Sequence, residues 1–417
     1  MVTPRKALAA RRRAAGHTQE QLAELLGVSV GTVGRWERGE TDPGPLIQLR
    51  LAKALGLTAK ELAELLSPPG TPIVKLSAQW LPSRAEPVTR PVHRGYPIDG
   101  VHDFVPELRR VLDAFDLPVD APTRPLDEIG SDVAHVNELR LEARYGALAE
   151  VLPGLLTELA RASQLASSGS ARRQVAQLRA LTFRAADGIA FKYGYLDLSA
   201  RLVDLIRQAA VQADDPLLVA AAEYVRTETF FANGDLGTAG RALVKAADEV
   251  GRIKNGDALA AAAYGSLHMR AAVVAGRTGK SGAAADHLRE ARRAAEVVEE
   301  GVYHGTAFGP HSIRIHELAV AAELSDPAGI ECAATWRPPD DVRAERRSHY
   351  FIDLGNAQLD LGRLDDAHES IELAREAAPQ HTREHPRVKR TLSALLQRRP
   401  GNSRVVELAA WAGARSI

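Results

Sequence analysis

The chain has 417 residues, 45% hydrophobic, 25% charged and only 5% aromatic; at about 100–200 residues per domain it holds two to four domains, or one small domain on a repeat array, with cores mostly of Ala, Leu and Val. Its 53 Lys and Arg balance 53 Asp and Glu, which excludes a polybasic nucleic-acid coat or membrane-surface protein and makes any DNA-binding charge local. Cys332 is the only cysteine, no run of 18 residues is wholly apolar and the basic start carries no apolar segment, so neither a disulfide framework nor a cysteine-based zinc cage is possible and a soluble, reduced, cytoplasmic protein is expected.

Residues 1–66 read as a compact unit of short helices. In TQEQLAELLGVSVGTVGRWERG, 18–39, Thr18 and Gln21 form a capping box that opens one helix, with Leu22, Leu25 and Leu26 as its apolar face and Gly27 as its stop. Ser29 caps a second short helix in which Val33 and Trp36 face inward, and Gly39 ends it. Thr58 and Glu61 make another capping box, leading to Leu62, Leu65 and Leu66. The unit carries ten Lys and Arg against seven acids, and five of those cations lie in the first thirteen residues.

Residues 5–66 resemble the Xre-type, lambda-repressor-like helix-turn-helix family, on the string TQ-x-x-LA…GVS-x-x-T-V-x-x-WE-x-G. The resemblance implies a five-helix domain whose second motif helix, 29–38, lies in the major groove. It places Gln19, Ser29, Thr32 and Arg38 at or beside phosphates, and Val30, Gly31 and Arg35 toward bases. Arg35 could pair bidentately with guanine, worth about 1–3 kcal/mol of discrimination. Val30 offers only a thymine-methyl contact and Gly31 and Gly34 no side chain, so specificity leans on Arg35 and DNA shape. The resemblance also pairs Glu37 with Arg12, a structural role. Few charges per head imply dimeric binding to two half-sites.

From 67 to 106 there are eight prolines in forty residues, which forbids continuous helix and predicts an extended linker, followed by a short helix at 107–116. From about Ser131 onward the chain reads as helix after helix. Leu139, Tyr145, Leu148, Leu152, Leu155, Leu156 and Leu159 recur at spacings of three and four. Turn markers fall at Gly194, Asn233–Asp235, Gly276–Gly279, Ser325–Pro327 and Gly362, and alternating β-branched runs are absent. Residues 348–381 resemble the tetratricopeptide (TPR) pattern at Leu354, Gly355, Gly362, Ala367, Ile371, Ala374 and Pro379. There Gly355 and Ala367 allow close helix approach, Gly362 turns and Pro379 stops. Weaker echoes follow Gly234 (Ala239, Leu243, Ala246) and Gly279 (Ala284, Leu288, Ala291). The expected fold is all-α, with a helix-turn-helix head at 1–66, a Pro-rich linker at 67–106 and a TPR-like helical-repeat body at 107–417.

Three look-alikes are set aside. VAGRTGKSG, 274–282, ends like a phosphate-binding loop but has Val274 where the motif needs Gly, and no strand before it. His381-Thr-Arg-Glu384-His385 fits H-x-x-E-H, but Pro379 and Pro386 leave too short a helix to project both histidines. His304, His311 and His316 fall at a Gly/Pro-containing loop and the start of a helix, where a surface or hydrogen-bonded role is expected and a ligand-pocket role stays open, and Cys332 reads as a buried small side chain or an incidental thiol. No enzyme, cofactor or metal is expected.

An Xre-type head on a TPR-like body resembles bacterial regulators in which the head binds an operator while the body dimerises and binds an effector, often a peptide. The nine Lys among 53 basic residues suggest a high-GC, actinobacterial source. The expected partners are palindromic double-stranded operator DNA, a second copy of the chain and a peptide or small-molecule effector; a TPR adaptor acting through protein–protein contacts is the alternative. The offsets of the repeats put Glu228, Phe231, Met269, Val273, Arg277, His349, Ile352, Asn356 and Asp360 on the concave face as effector-binding candidates.

Overall fold

In the computed structural model the described residues are 5–26, 28, 30–39, 43, 45–66, 100–253 and 257–415. The chain divides into two compact units, Met1–Pro91 and Val92–Ile417. The expected linker at 67–106 lies largely outside the described residues, as do Gly27 and Ser29.

The first unit has helices α1 (Lys6–Ala14), α2 (Gln19–Leu26), α3 (Val30–Arg38), α4 (Pro45–Leu55) and α5 (Ala59–Leu66). Both capping boxes form. Thr18 N–H donates to Gln21 at 2.9 Å while Gln21 N–H donates to the Thr18 hydroxyl at 3.2 Å, and Thr58 N–H donates to Glu61 at 2.7 Å with the reciprocal bond at 3.3 Å. Each box satisfies amides that helix geometry leaves unpaired. Leu8, Leu22, Ala23, Leu26, Val33, Trp36, Leu51, Leu55 and Leu62 form the core. Leu25 departs from its expected place on the apolar face: it is 53% exposed. The inward stripe of this short helix is Leu22–Ala23–Leu26, at i, i+1 and i+4, and leaves Leu25 on its flank.

The second unit continues with α6 (Val101–Asp113), α7 (Leu126–Leu141), α8 (Tyr145–Leu165), α9 (Gly169–Lys192), α10 (Leu196–Gln212), α11 (Pro216–Asn233), α12 (Leu236–Val250), α13 (Ala258–Arg277) and α14 (Ser281–Ala295). A two-stranded hairpin, β1 (Gly301–Tyr303) and β2 (Thr306–Phe308), comes next. Then follow α15 (Pro310–Glu323), α16 (Pro327–Ala334), α17 (Ala344–Asp360), α18 (Leu364–Ala377), α19 (Pro379–Glu384), α20 (Pro386–Arg398) and α21 (Ser403–Ala412). Among the described residues the fold is all-α apart from that hairpin.

Helix α6 starts at Val101, inside the segment expected to be linker, and contains Pro106. One proline removes a single helical hydrogen bond, and Val101, Val105, Leu108 and Leu112, all buried at i, i+4, i+7 and i+11, outweigh it. The stripe expected along α7 and α8 is buried throughout, from Leu139 to Leu159.

Sequential helices pack as hairpins. Gly234, Gly279 and Gly362 turn between them with φ of +72°, +70° and +78°, a region costly for other residues. Residues 274–282 are one such turn, from the end of α13 to the start of α14. At Gly355 an added Cβ would sit 3.1 Å from the Ala367 carbonyl and from Ile371 Cδ1, so α17 and α18 do approach closely there. Helix α13 is long and apolar enough by composition to cross a membrane, yet it is 61% buried within this unit, as a core helix.

The hairpin is absent from the sequence expectation. Its turn is His304–Gly305, both at positive φ (+48° and +76°), the two-residue connection that matches strand twist. Gly301 pairs with Phe308, and the Phe308 ring is fully buried against α13, where a Cβ on Gly265 would come within 2.1 Å of it. Gly265→Ala is therefore expected to destabilise the second unit by about 1–3 kcal/mol or more, as overpacking does; urea unfolding of the purified chain measures it, and Gly265→Ala with Phe308→Leu is expected to regain much of the loss.

Candidate functional site

Helix α3 presents two unlike faces. Val33, Gly34 and Trp36 are buried, whereas Val30 is 40% exposed and Gly31 and Arg35 are exposed. The exposed face therefore includes the three positions assigned to bases. The Arg35 guanidinium donates to the Thr32 hydroxyl at 2.9 Å, one turn back. Gly34 leaves room for Arg38, whose Nη1 lies 3.0 Å from where a Cβ would be, so that side chain folds back along the helix. Ser29 lies outside the described residues.

The helix is fixed from behind by a buried ionic cluster. Arg12 Nε donates to Glu37 at 2.7 Å and Arg12 Nη2 to the other carboxylate oxygen at 3.3 Å. Both side chains are only 10% exposed. Arg12 also holds the His17 carbonyl at 2.8 Å. Gln19 joins the same carboxylate, its amide donating to Glu37 at 2.6 Å, so it links the start of α2 to the end of α3.

Two more of the N-terminal cations are used inside the unit. Arg5 donates to the Trp36 carbonyl at 3.3 Å, and Arg11 to the carbonyls of Leu55 and Gly56 at 3.0 and 2.9 Å. These are C-terminal helix carbonyls, where a cation complements the helix dipole. Of the five cations in the first thirteen residues, three therefore hold the fold together. Charge counting alone overstates the electrostatic footprint.

In the second unit the effector candidates separate. Met269 and Ile352 are fully buried and Val273 nearly so, which corrects their expected place on an open concave face: α13 and α17 are covered on both sides by neighbouring helices. Phe231 stacks with Arg277, whose guanidinium lies 4.4 Å from the ring centroid and donates to Glu323 at 2.9 Å. Asn356 accepts from Arg390 at 2.8 Å and lies 3.5 Å from Asp360, at the exposed end of α17. Glu228 and His349 line a cavity of about 100 Å³ between α7, α9, α11, α13, α17 and the β-hairpin tip. That charged cavity is absent from the sequence expectation, because its arginines come from separate helices far apart in the chain. Cys332 is exposed, not buried.

His349, His381 and His385 converge, with candidate donor nitrogens within 4.8 Å of one another. Short α19 and the residue after it thus do bring both histidines of the H-x-x-E-H string together, with a third from α17. One feature disfavours a dication there: His385 Nδ1 accepts the Arg387 N–H at 3.2 Å, which puts the proton of the neutral ring on the other nitrogen. Burial and then Lys192 push the His349 and His381 pKa values down, His381 to about 3, so these rings stay neutral. His304 lies 3.3 Å from Asp215, and His316 is buried with Nδ1 2.9 Å from the Ser312 carbonyl.

Residues 8–66 match the helix-turn-helix family model. No curated protein and no solved structure matched the chain. With its exposed α3 face and the cluster that orients it, the N-terminal unit is a helix-turn-helix DNA-binding domain, the mark of a transcriptional regulator.

Proposed function

We propose that the chain is a sequence-specific regulator which binds a palindromic operator as a homodimer in the cytoplasm, while its TPR-like helical body dimerises and takes a peptide or small-molecule effector, without catalysis. The observation that carries this reading is the α3 face: Val30, Gly31 and Arg35 are exposed while the buried Arg12–Glu37–Gln19 cluster sets the orientation of the helix. Three N-terminal cations are engaged in the fold, so few are left per head for phosphates, which favours two heads on two half-sites. The stacked hairpins, with their left-handed glycine turns and the close approach at Gly355, support a repeat body.

Fluorescence anisotropy with DNA from upstream of the gene tests the reading. Arg35→Ala is expected to weaken specific binding by about 1–3 kcal/mol, the worth of one bidentate base contact, and to leave binding to random DNA almost unchanged. Equal loss on both DNAs would place Arg35 on a phosphate. No binding by the wild-type chain to any duplex would overturn the regulator reading.

A further inference from the structure

The cavity between α7, α9, α11, α13 and α17 is lined by Arg140, Arg184, Lys192, Arg270 and Arg346, against Glu228 and Glu345. These five cations face two carboxylates; Asp187, fully buried beside Arg184 at 3.3 Å, is a third carboxyl whose pKa burial and then Glu228 raise well above the carboxylate range, so the cationic excess is at least two.

The pairing inside is incomplete. Lys192 holds Glu345 at 2.8 Å, while Arg140 lies 3.9 Å from it. Arg184 lies between Asp187 and Glu228, the latter at 3.6 Å. Arg270 donates to the Thr227 hydroxyl at 2.9 Å and stacks on Phe231. Arg140, 4% exposed, donates to the Gly305 carbonyl at 2.6 Å, but among the described residues its Nε has no partner, and neither has Nε of Arg184 or Arg346. Gly188 provides the space for Arg140, since a Cβ there would lie 3.0 Å from its side chain.

Buried donors without acceptors are costly, as is uncompensated buried charge. Burial, with Arg184 next, pulls the Arg140 pKa down to about 10. A bound anion would remove both costs.

We propose that this cavity is a binding site for a dianionic phosphate group, free or carried by a small phosphorylated molecule. A cationic excess of at least two suits a dianion. Guanidinium groups that enter from α7, α9, α13 and α17 suit a tetrahedral oxyanion, whose oxygens point in several directions, better than a planar carboxylate, which one guanidinium fork satisfies. As the effector site of the regulator, this assignment rests on the reading above; as an anion site it does not.

The test uses the full chain without DNA, so that its outcome is independent of whether α3 reads an operator. Thermal melts and calorimetric titrations are run with inorganic phosphate, glycerol phosphate and malonate, against chloride of equal ionic strength. Phosphate or glycerol phosphate is expected to raise Tm saturably by several degrees; a response to glycerol phosphate above that to phosphate points to an ester ligand, and equal responses to the free ion. Arg140→Met is expected to melt no lower than wild type in chloride and to lose the phosphate response. Arg346→Gln, at a less buried position, is expected to weaken binding about tenfold or more and keeps the test open where Arg140→Met fails to fold. No response beyond chloride, a response to malonate alone, or a wild-type response in Arg346→Gln would overturn the site.

Discussion

Arg12→Ala is expected to lower the stability of the N-terminal unit by about 3–5 kcal/mol, the loss that follows when one partner of a buried ion pair is removed. The size follows from position. Both side chains are only 10% exposed, so water can replace little of what Glu37 loses, and among the described residues the carboxylate keeps Gln19 as its side-chain partner at 2.6 Å. The His17 carbonyl loses its donor at the same time. Arg12→Met with Glu37→Leu is expected to recover much of the loss, because no charge is then stranded. Hydrogen exchange of the α3 amides in the full chain reads the effect, since α3 would open with lower free energy. An unchanged exchange rate would mean that Glu37 is stabilised without Arg12. DNA affinity is expected to fall along with stability, through the orientation of α3 rather than through a lost phosphate contact.

The second unit is expected to lose stability steeply as the pH falls below about 6.5. Burial pushes His381 down to about 3, and burial with His287 next pushes His268 to about 4. His316 lies well below its ordinary value, from burial and then Arg346. A histidine that stays neutral when folded but takes up a proton when unfolded contributes stability above its unfolded pKa. That contribution falls as the pH drops from about 6.5 toward the folded pKa, by up to about 1.4 kcal/mol per pH unit for each fully buried ring. For His381 and His316, 2% and 5% exposed, this sums to nearly 3 kcal/mol per unit; His349 is a third exposed on its side chain and adds less. Glu345 works in the same direction at more acid pH. Burial opposes its charge, but Lys192 and Arg140 outweigh that and hold its pKa well below the carboxylate range. Urea midpoints from pH 7.5 to 4.5 check the slope. His381→Gln is expected to flatten it, and a midpoint that does not change with pH would show these rings to be solvated.

What the sequence determined by itself is the part of the molecule encoded by near neighbours. Capping boxes at Thr18 and Thr58, left-handed stops at Gly234, Gly279 and Gly362, and the stripe from Leu139 to Leu159 all act within one or two helical turns, over distances the sequence states directly. The Arg12–Glu37 pair came from resemblance and holds at 2.7 Å. Tertiary structure decided the rest, because packing direction is not written in spacing. It exposed Leu25 and buried Met269 and Ile352. It drew Arg5 and Arg11 onto helix carbonyls, and it put a hairpin with a buried second strand where a loop was expected. The charged cavity depends on it most. Arg140, Arg184, Arg270 and Arg346 lie on four helices spread over some two hundred residues; each is an ordinary helical arginine in sequence, and only the fold brings their uncompensated charges to one point.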